Sequence, residues 1–329
     1  LCGVPWKFTP LCYICIDMKN RNSMAQNQLN KLVWLVDTIN RARFITFEDI
    51  NRKWIDNKDL NNGDELLKRT FHKWKNAIFD IFGLQIDCEK RGEYRYYIAN
   101  MDDLHNGSVE KWLLSTCSVS NSLIGCRAIK DRIVLENVPS GLHYLDSVID
   151  AMKRNCVVDI KYYNYMRGDV HEYALMPLCV KLFKQRWYMV GKACDSDFVG
   201  IYCLDRMHDL KVTDKSFDYP EDFSPQNYFD GFFGVFHDLD TDVETVVLKA
   251  SASQANYIRD LPLMQDGAQV ETERCEDYSI FEIRVRPTYD FMQELLWHRD
   301  EIEVLKPAWL RDEMVEIIDC MRYKYGCAD

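Results

Sequence analysis

A chain of 329 residues with 47% apolar side chains is too long for one ordinary core and too apolar for global disorder, so two or three folded domains are expected. Its net charge of −11 excludes indiscriminate binding to nucleic acid, yet the average hides an asymmetry. Residues 24–100 carry 13 Lys and Arg against 11 Asp and Glu, whereas residues 101–329 carry 25 against 40, so any DNA-binding surface belongs in the first third.

Thirteen cysteines, odd in number and dispersed, read as thiols of a reducing, cytoplasmic compartment. No run approaches the ~20 apolar residues of a membrane span, so no membrane partner is expected. Residues 1–23 show neither helical nor strand period and read as an upstream or poorly structured extension. Within it, Phe8 to Ile16 lacks the cleavage site of a secretory leader. Cys12 and Cys15 form a lone CxxC without a second pair or a His partner, and coincidence explains it best.

From Gln28 to Arg43 the spacing of Leu29, Leu32, Val33, Val36 and Ile39 predicts a helix. Thr46 with Asp49 resembles a capping box with a shorter acid, opening a second helix that carries Phe47, Ile50, Trp54 and Ile55. After a polar connection, a third helix carries Leu67, Phe71, Trp74, Ile78, Phe79 and Phe82 on its apolar face and stops at Gly83. Its other face is basic and polar: Lys68, Arg69, Thr70, His72, Lys73, Lys75 and Asn76. Leu84–Cys88 and Tyr94–Ile98 then flank a charged tip with Lys90, Arg91 and Gly92, a predicted β-hairpin. Three helices and a hairpin in this order make a winged helix-turn-helix over residues 24–100. Such a helix can seat its polar face in the major groove, and the wing tip can reach neighbouring phosphates. The competing reading is a solvated basic face, which is what most basic runs are. The hairpin and the domain behind it favour DNA, with Lys68, Arg69, Thr70, His72, Lys73 and Asn76 at the groove and Lys90 and Arg91 at the wing.

Residues 101–154 read as a helical bridging region, with a helix over Glu110–Leu123, a short strand over Arg132–Glu136, a turn at Pro139-Ser140-Gly141, and a helix presenting Leu142, Leu145, Ile149 and Met152. Over residues 155–215 four strands are expected: Val157–Tyr163, Val170–Lys184 with Pro177 at a bend or edge, Arg186–Ala193, and a fourth over Gly200–Val212, bulged. An aromatic connector fills residues 216–242. Residues 243–329 read as strand, helix, two strands, helix, strand and a final helix lined by Leu310, Met314, Ile317, Ile318, Met321 and Tyr325. That βαββαβ order resembles a ferredoxin-like fold.

The stretch Arg186-Trp187-Tyr188-Met189 followed by Leu204-Asp205-Arg206 resembles the WYL domain of bacterial transcription regulators, with Met189 where the family has Leu. The run Arg132-Ile133-x-Leu135-Glu136-x-x-Pro139-Ser140-Gly141 is similar to the bridging region of one regulator subgroup. The order of elements from about residue 28 to the end is similar to winged helix, WYL domain and C-terminal WCX extension. The resemblance implies an α+β multidomain protein with a central Sm-like or SH3-like small barrel and a ligand-sensing role for that barrel.

In the barrel the candidate ligand residues are Tyr162, Tyr163, His171, Arg186, Tyr188, Tyr202 and Arg206, since Tyr rings and guanidinium planes stack on bases and Arg forks take phosphates. Trp187 is expected in the core, opposite Arg186 and Tyr188. For Arg206 a structural salt bridge with Asp205 or another carboxylate competes with ligand binding. No GxSxG, HExxH or P-loop is present, and no His–Cys spacing calls for zinc, so no catalytic residue, metal or cofactor is assigned. The expectation is a ligand-responsive transcriptional regulator. Its partners are double-stranded operator DNA and a nucleotide or single-stranded oligonucleotide effector. A homodimer would match a pseudo-palindromic site. The alternatives are a nucleic-acid-binding accessory protein that modulates another complex, and a nucleotide-processing enzyme.

Overall fold

The computed structural model describes residues 11–58, 60–61, 63–101, 108–124, 131–134, 141–238, 240–265 and 267–326, with side chains from residue 27 onward except 121, 122 and 124. The chain forms two compact units, Leu1–Leu135 and Glu136–Asp329.

In the first unit, α1 (Leu11–Ala42) begins well before the predicted Gln28. The side chains of Cys12 and Cys15 lie outside the described residues. Three further helices follow, α2 (Phe47–Asp56), α3 (Lys68–Phe82) and α4 (Val109–Ile124), with a hairpin of β1 (Ile86–Cys88) and β2 (Tyr96–Ile98) between the last two. Thr46 caps α2 as its sequence predicts, its hydroxyl oxygen accepting from the Asp49 N–H at 3.2 Å. The acid is too short to reach back to the cap's own backbone. It takes the Thr46 hydroxyl proton at 2.8 Å instead. Between α2 and α3 the amide of buried Asn61 donates to the carbonyls of Trp54 (3.1 Å) and Asp64 (2.8 Å) and accepts from the Asp64 N–H. One side chain thus ends α2 and fixes where α3 can start. Leu32, Leu35, Val36, Ile39, Ile50, Phe71, Ile78 and Phe82 form the buried core, with Trp54 packed between Trp34 and Trp74.

Two residues assigned to the buried face of α3 lie outside it. Leu67 precedes the helix and is 66% exposed, and Phe79 is 56% exposed because it follows His72 and Asn76 round the helix at spacings of seven and three. The predicted strand over Arg132–Glu136 is absent from residues 131–134. Leu135–Ser140, including most of the expected turn, lies outside the described residues.

In the second unit, α5 (Leu142–Arg154) packs Val148 and Ala151 into a five-stranded antiparallel sheet; Leu142, expected on that face, is exposed. The strands are β3 (Cys156–Asn164), β4 (Asp169–Phe183), β5 (Arg186–Ala193), β6 (Val199–Cys203) and β7 (Met207–Ser216), in the order β6-β5-β4-β3-β7. The register of β4 shifts at Pro177, which cannot donate to the ladder. The predicted fourth strand is broken in two by a single 3₁₀ turn at Leu204–Arg206. Gly141 backs this turn with φ +63; a Cβ there would stand 2.5 Å from the Leu204 backbone, so only glycine permits the approach.

The connector holds the one-turn helix α6 (Pro225–Tyr228) and an aromatic cluster in which the His237 ring lies between Tyr228 (4.0 Å) and Phe232 (4.3 Å). Beyond it lie β8 (Glu244–Ser251), α7 (Ala252–Asp260), β9 (Gln269–Arg274), β10 (Tyr278–Val285), α8 (Tyr289–Trp297), β11 (Ile302–Lys306) and α9 (Ala308–Lys324). The sheet order is β11-β8-β10-β9, antiparallel throughout. Val246, Leu248, Phe281, Ile283 and Val285 point at α7 and α8, which cover one face with Ala255, Ile258, Phe291 and Leu295. Leu310 is the buried residue of α9. Ile318, Met321 and Tyr325 are exposed, beside an apolar groove of about 680 Å³ shared with the α8–β11 segment.

The connector is bound on both sides. The Lys181 ammonium of β4 donates to the Gly234 carbonyl at 2.6 Å, while the Asp290 carboxylate of α8 accepts from the N–H groups of Val235 (2.7 Å) and Phe236 (3.0 Å). Phe233 packs between Phe183 of β4 and Phe291 of α8, with ring centroids 5.7 and 5.8 Å away.

Candidate nucleic-acid and effector sites

Helix α3 buries Phe71, Trp74, Ile78 and Phe82 and turns Lys68, Arg69, His72, Lys73 and Asn76 outward. Thr70 and Lys75 are half-buried, and the Lys75 ammonium lies 5.3 Å from the centre of the Tyr96 ring. Among the described residues Arg69 and Lys73 make no ion pair, and their exposed charges are available to an anion. The hairpin tip is clamped at its base, where Glu89 takes two hydrogen bonds from Arg95 at 2.7 and 3.3 Å. Beyond that clamp Lys90 and Arg91 are exposed. The residues expected at the groove and at the wing therefore occupy one small helix-and-hairpin unit, all but Thr70 open to solvent.

In the five-stranded sheet, strand pairing sets neighbours directly. Tyr162 of β3 faces His171 of β4, and Tyr188 of β5 faces Lys181 on one side and Cys203 on the other. The Tyr162 ring meets Tyr202 edge-on at 5.3 Å, and its phenol oxygen accepts from the Cys203 N–H at 3.2 Å. The Arg206 guanidinium lies 5.8 Å from the Tyr162 ring and 4.5 Å from Tyr165. Arg186 donates to Asp205 at 2.5 Å, and the Cys203 thiol donates to the second oxygen of the same carboxylate at 2.5 Å. Arg206, Tyr162, Cys203, Asp205, Arg186 and Tyr188 thus form one connected group. Tyr163 adjoins this group through Tyr165, whose ring it meets edge-on at 5.6 Å, and stacks on His208 at 5.8 Å, while His171 pairs with Asp169 at 2.8 Å.

Burial divides these residues by role. Tyr162, Tyr188 and Tyr202 expose less than a tenth of their surface, so they are core residues with polar tips rather than open stacking platforms. Burial raises the Tyr162 phenol above its usual range and pushes those of Tyr188 and Tyr202 up to about 12, keeping all three neutral. Burial likewise pushes the Cys203 thiol up to about 11, which leaves it a donor to Asp205. Burial opposes ionisation of Asp205 itself, but the hydrogen bonds from Arg186 and Cys203 outweigh it and hold that carboxyl below the usual range. Trp187, assigned to the core, is only partly buried at the core's edge, while Tyr188 is inside. The alternation rule fails because residues 188–191 are buried consecutively: both faces of β5 are covered there.

The Asp205 salt bridge weighed against ligand binding for Arg206 is made by Arg186 instead; among the described residues Arg206 makes no ion pair. The Nε groups of Arg186 and Arg206 are buried and meet no acceptor among the described residues. Tyr165, Cys203 and Asp205 are not singled out by sequence. Tyr165 lies in a turn, where no period flags it, and Asp205 enters the sequence reading only as the neighbour of Arg206. Among the described residues no cluster of His, Cys, Asp and Glu is arranged to hold a metal, and no helix is long and apolar enough to cross a membrane.

The sequence pattern of the WYL domain matches residues 143–212, and that of the WCX domain matches residues 242–322. No curated protein matches the chain. Among solved structures, proteasome accessory factor B/C (PafBC) of Arthrobacter aurescens is 16% identical, with 88% of this chain and 46% of that chain covered and a TM-score of 0.34. This chain therefore spans about half the length of that protein. A CRISPR Cas-related protein is 11% identical, with 80% of this chain and 76% of that chain covered and a TM-score of 0.36.

Proposed function

We propose that this chain, which carries a WYL domain joined to a WCX domain, is a ligand-responsive, non-enzymatic transcriptional regulator that binds operator DNA. The observation that carries the reading is α3, a helix anchored by four buried side chains whose opposite face presents Lys68, Arg69, His72, Lys73 and Asn76. In this reading α1 to α3 with the hairpin act as a winged helix, α3 enters the major groove, and Lys90 and Arg91 neutralise flanking phosphates. The five-stranded unit acts as a small Sm-like barrel, and the 4-1-3-2 strand order of the C-terminal sheet supports a ferredoxin-like reading. The effector is a nucleotide or oligonucleotide recognised by Arg186, Arg206, Tyr163 and Tyr165, with Tyr162, Tyr188 and Tyr202 supporting them from the core. It must favour one arrangement of a homodimer over another, since equal affinity for both would shift nothing.

Fluorescence anisotropy at physiological salt tests this with a duplex from the protein's own upstream region. The expected outcome is a preference over scrambled duplex of roughly a thousandfold. Lys73→Ala is expected to weaken binding roughly five- to tenfold across sequences with melting unchanged. Equal, weak and salt-sensitive binding to every duplex would overturn the operator reading and favour an accessory protein.

A further inference from the structure

The group around Asp205 holds a carboxylate where a ligand's anion is expected. Asp205 is one-tenth exposed, and its two oxygens take the Arg186 guanidinium and the Cys203 thiol, each at 2.5 Å. It belongs to a three-residue 3₁₀ turn between two strands, which presents the carboxylate to Arg186 across the sheet. The arginine's Nε, the second prong of the fork that binds carboxylates and phosphates side-on, is buried and meets no acceptor among the described residues. The pair is therefore one-pronged, formed through Nη2 alone. Arg206, the next residue, also leaves its Nε without an acceptor and rests its guanidinium plane on Tyr165, which is 63% exposed. A carboxylate tethered at residue 205 satisfies one arginine incompletely. A phosphate carries more charge and more oxygens, and can meet the full fork.

We propose that Asp205 is an internal competitor for the Arg186 fork, and that an effector's phosphate binds by displacing its carboxylate. This deepens the proposed effector reading, on which it rests, by naming the group that sets affinity and excludes uncharged ligands. Displacement moves Asp205 and with it the turn joining β6 to β7, so occupancy is converted into a shift of the backbone. The thiol of Cys203 steadies the carboxylate in the unliganded arrangement.

The test is titration of the full chain with inorganic phosphate, AMP and adenosine, followed by calorimetry. Asp205→Asn is expected to bind phosphate and AMP at least tenfold more tightly than the wild type, with adenosine unchanged. Asp209→Asn removes one charge from an exposed site on β7 and is expected to leave phosphate affinity within twofold. Equal phosphate affinity for wild type and Asp205→Asn, or an equal gain in Asp209→Asn, overturns the proposal. Should Asp205→Asn not fold, the Arg side-chain Nε–H resonances of the wild type decide. A shift of Arg186 on adding phosphate supports displacement, and no shift up to saturating phosphate overturns it. Operator affinity is a separate readout: tighter phosphate binding without any effect on DNA would sink the regulator reading and leave the competitor standing.

Discussion

Lys181 places an ammonium inside an aromatic connector, 4.0 Å from the centre of the Phe229 ring and bonded to one carbonyl. Burial lowers its pKa to about 8 from the ordinary 10.5, with Asp290 opposing only in part. Below about 8 the amine is charged in folded and unfolded chains alike, and the folded state carries the cost of burying it. As pH rises from about 8 toward 10.5 the folded state loses the proton first, so this residue contributes increasing stability over that window. Replacing Lys181 by Met should remove that rise, a change on the order of 1 kcal/mol after allowing for partial exposure, read from urea denaturation at pH 7 and pH 10. At this scale the sequence is informative about residue types and weak about partners. Arg186, Tyr188 and Arg206 stand out from their place in a recognisable stretch. Which arginine holds Asp205 depends on how β5 and β6 pair, and no spacing within one strand encodes that.

The elements followed local rules where those rules are strong. The Thr46 cap and the Gly83 stop of α3 (φ +63) were legible because each depends on neighbours in sequence. What failed needs tertiary information: the inward turn of Tyr188, and the break of the fourth strand, which needs Gly141 from a distant segment. The turn joining β4 to β5 is informative in another way. Lys184 (φ +46) and Gln185 (φ +63) both adopt the left-handed conformation of a two-residue hairpin turn, normally given to Asn and Gly. Lys184 has a reason to be there, since its ammonium reaches Glu294 of α8 at 2.6 Å. Gln185 makes no comparable contact among the described residues. Gln185→Gly should therefore stabilise the protein by about 0.5–1 kcal/mol, the left-handed strain relieved less the added chain entropy, as measured by the urea midpoint at constant slope.

For the molecule as a whole, the charge asymmetry alone directs the proposed DNA-facing work to the first unit, and the exposed basic face of α3 lies there. The sequence reading divides the second unit into two domains and a connector, but nothing in their composition announced how firmly the three are joined. Lys181 to Gly234, Asp290 to Val235 and Phe236, and Lys184 to Glu294 span the join, with Phe233 wedged between Phe183 and Phe291. A Cβ at Gly234 would collide with the ends of the Asp290 and Phe183 side chains, so any larger residue there must displace two of these anchors. Opening the five-stranded sheet exposes these anchors and robs the C-terminal sheet of its lining, so the two should melt as one cooperative block. Native-state hydrogen exchange should show the slowest amides of β4 and β5 sharing a single opening free energy with those of β8 and β10. Two separate opening energies would mean that the linker between the sheets is a hinge rather than a weld.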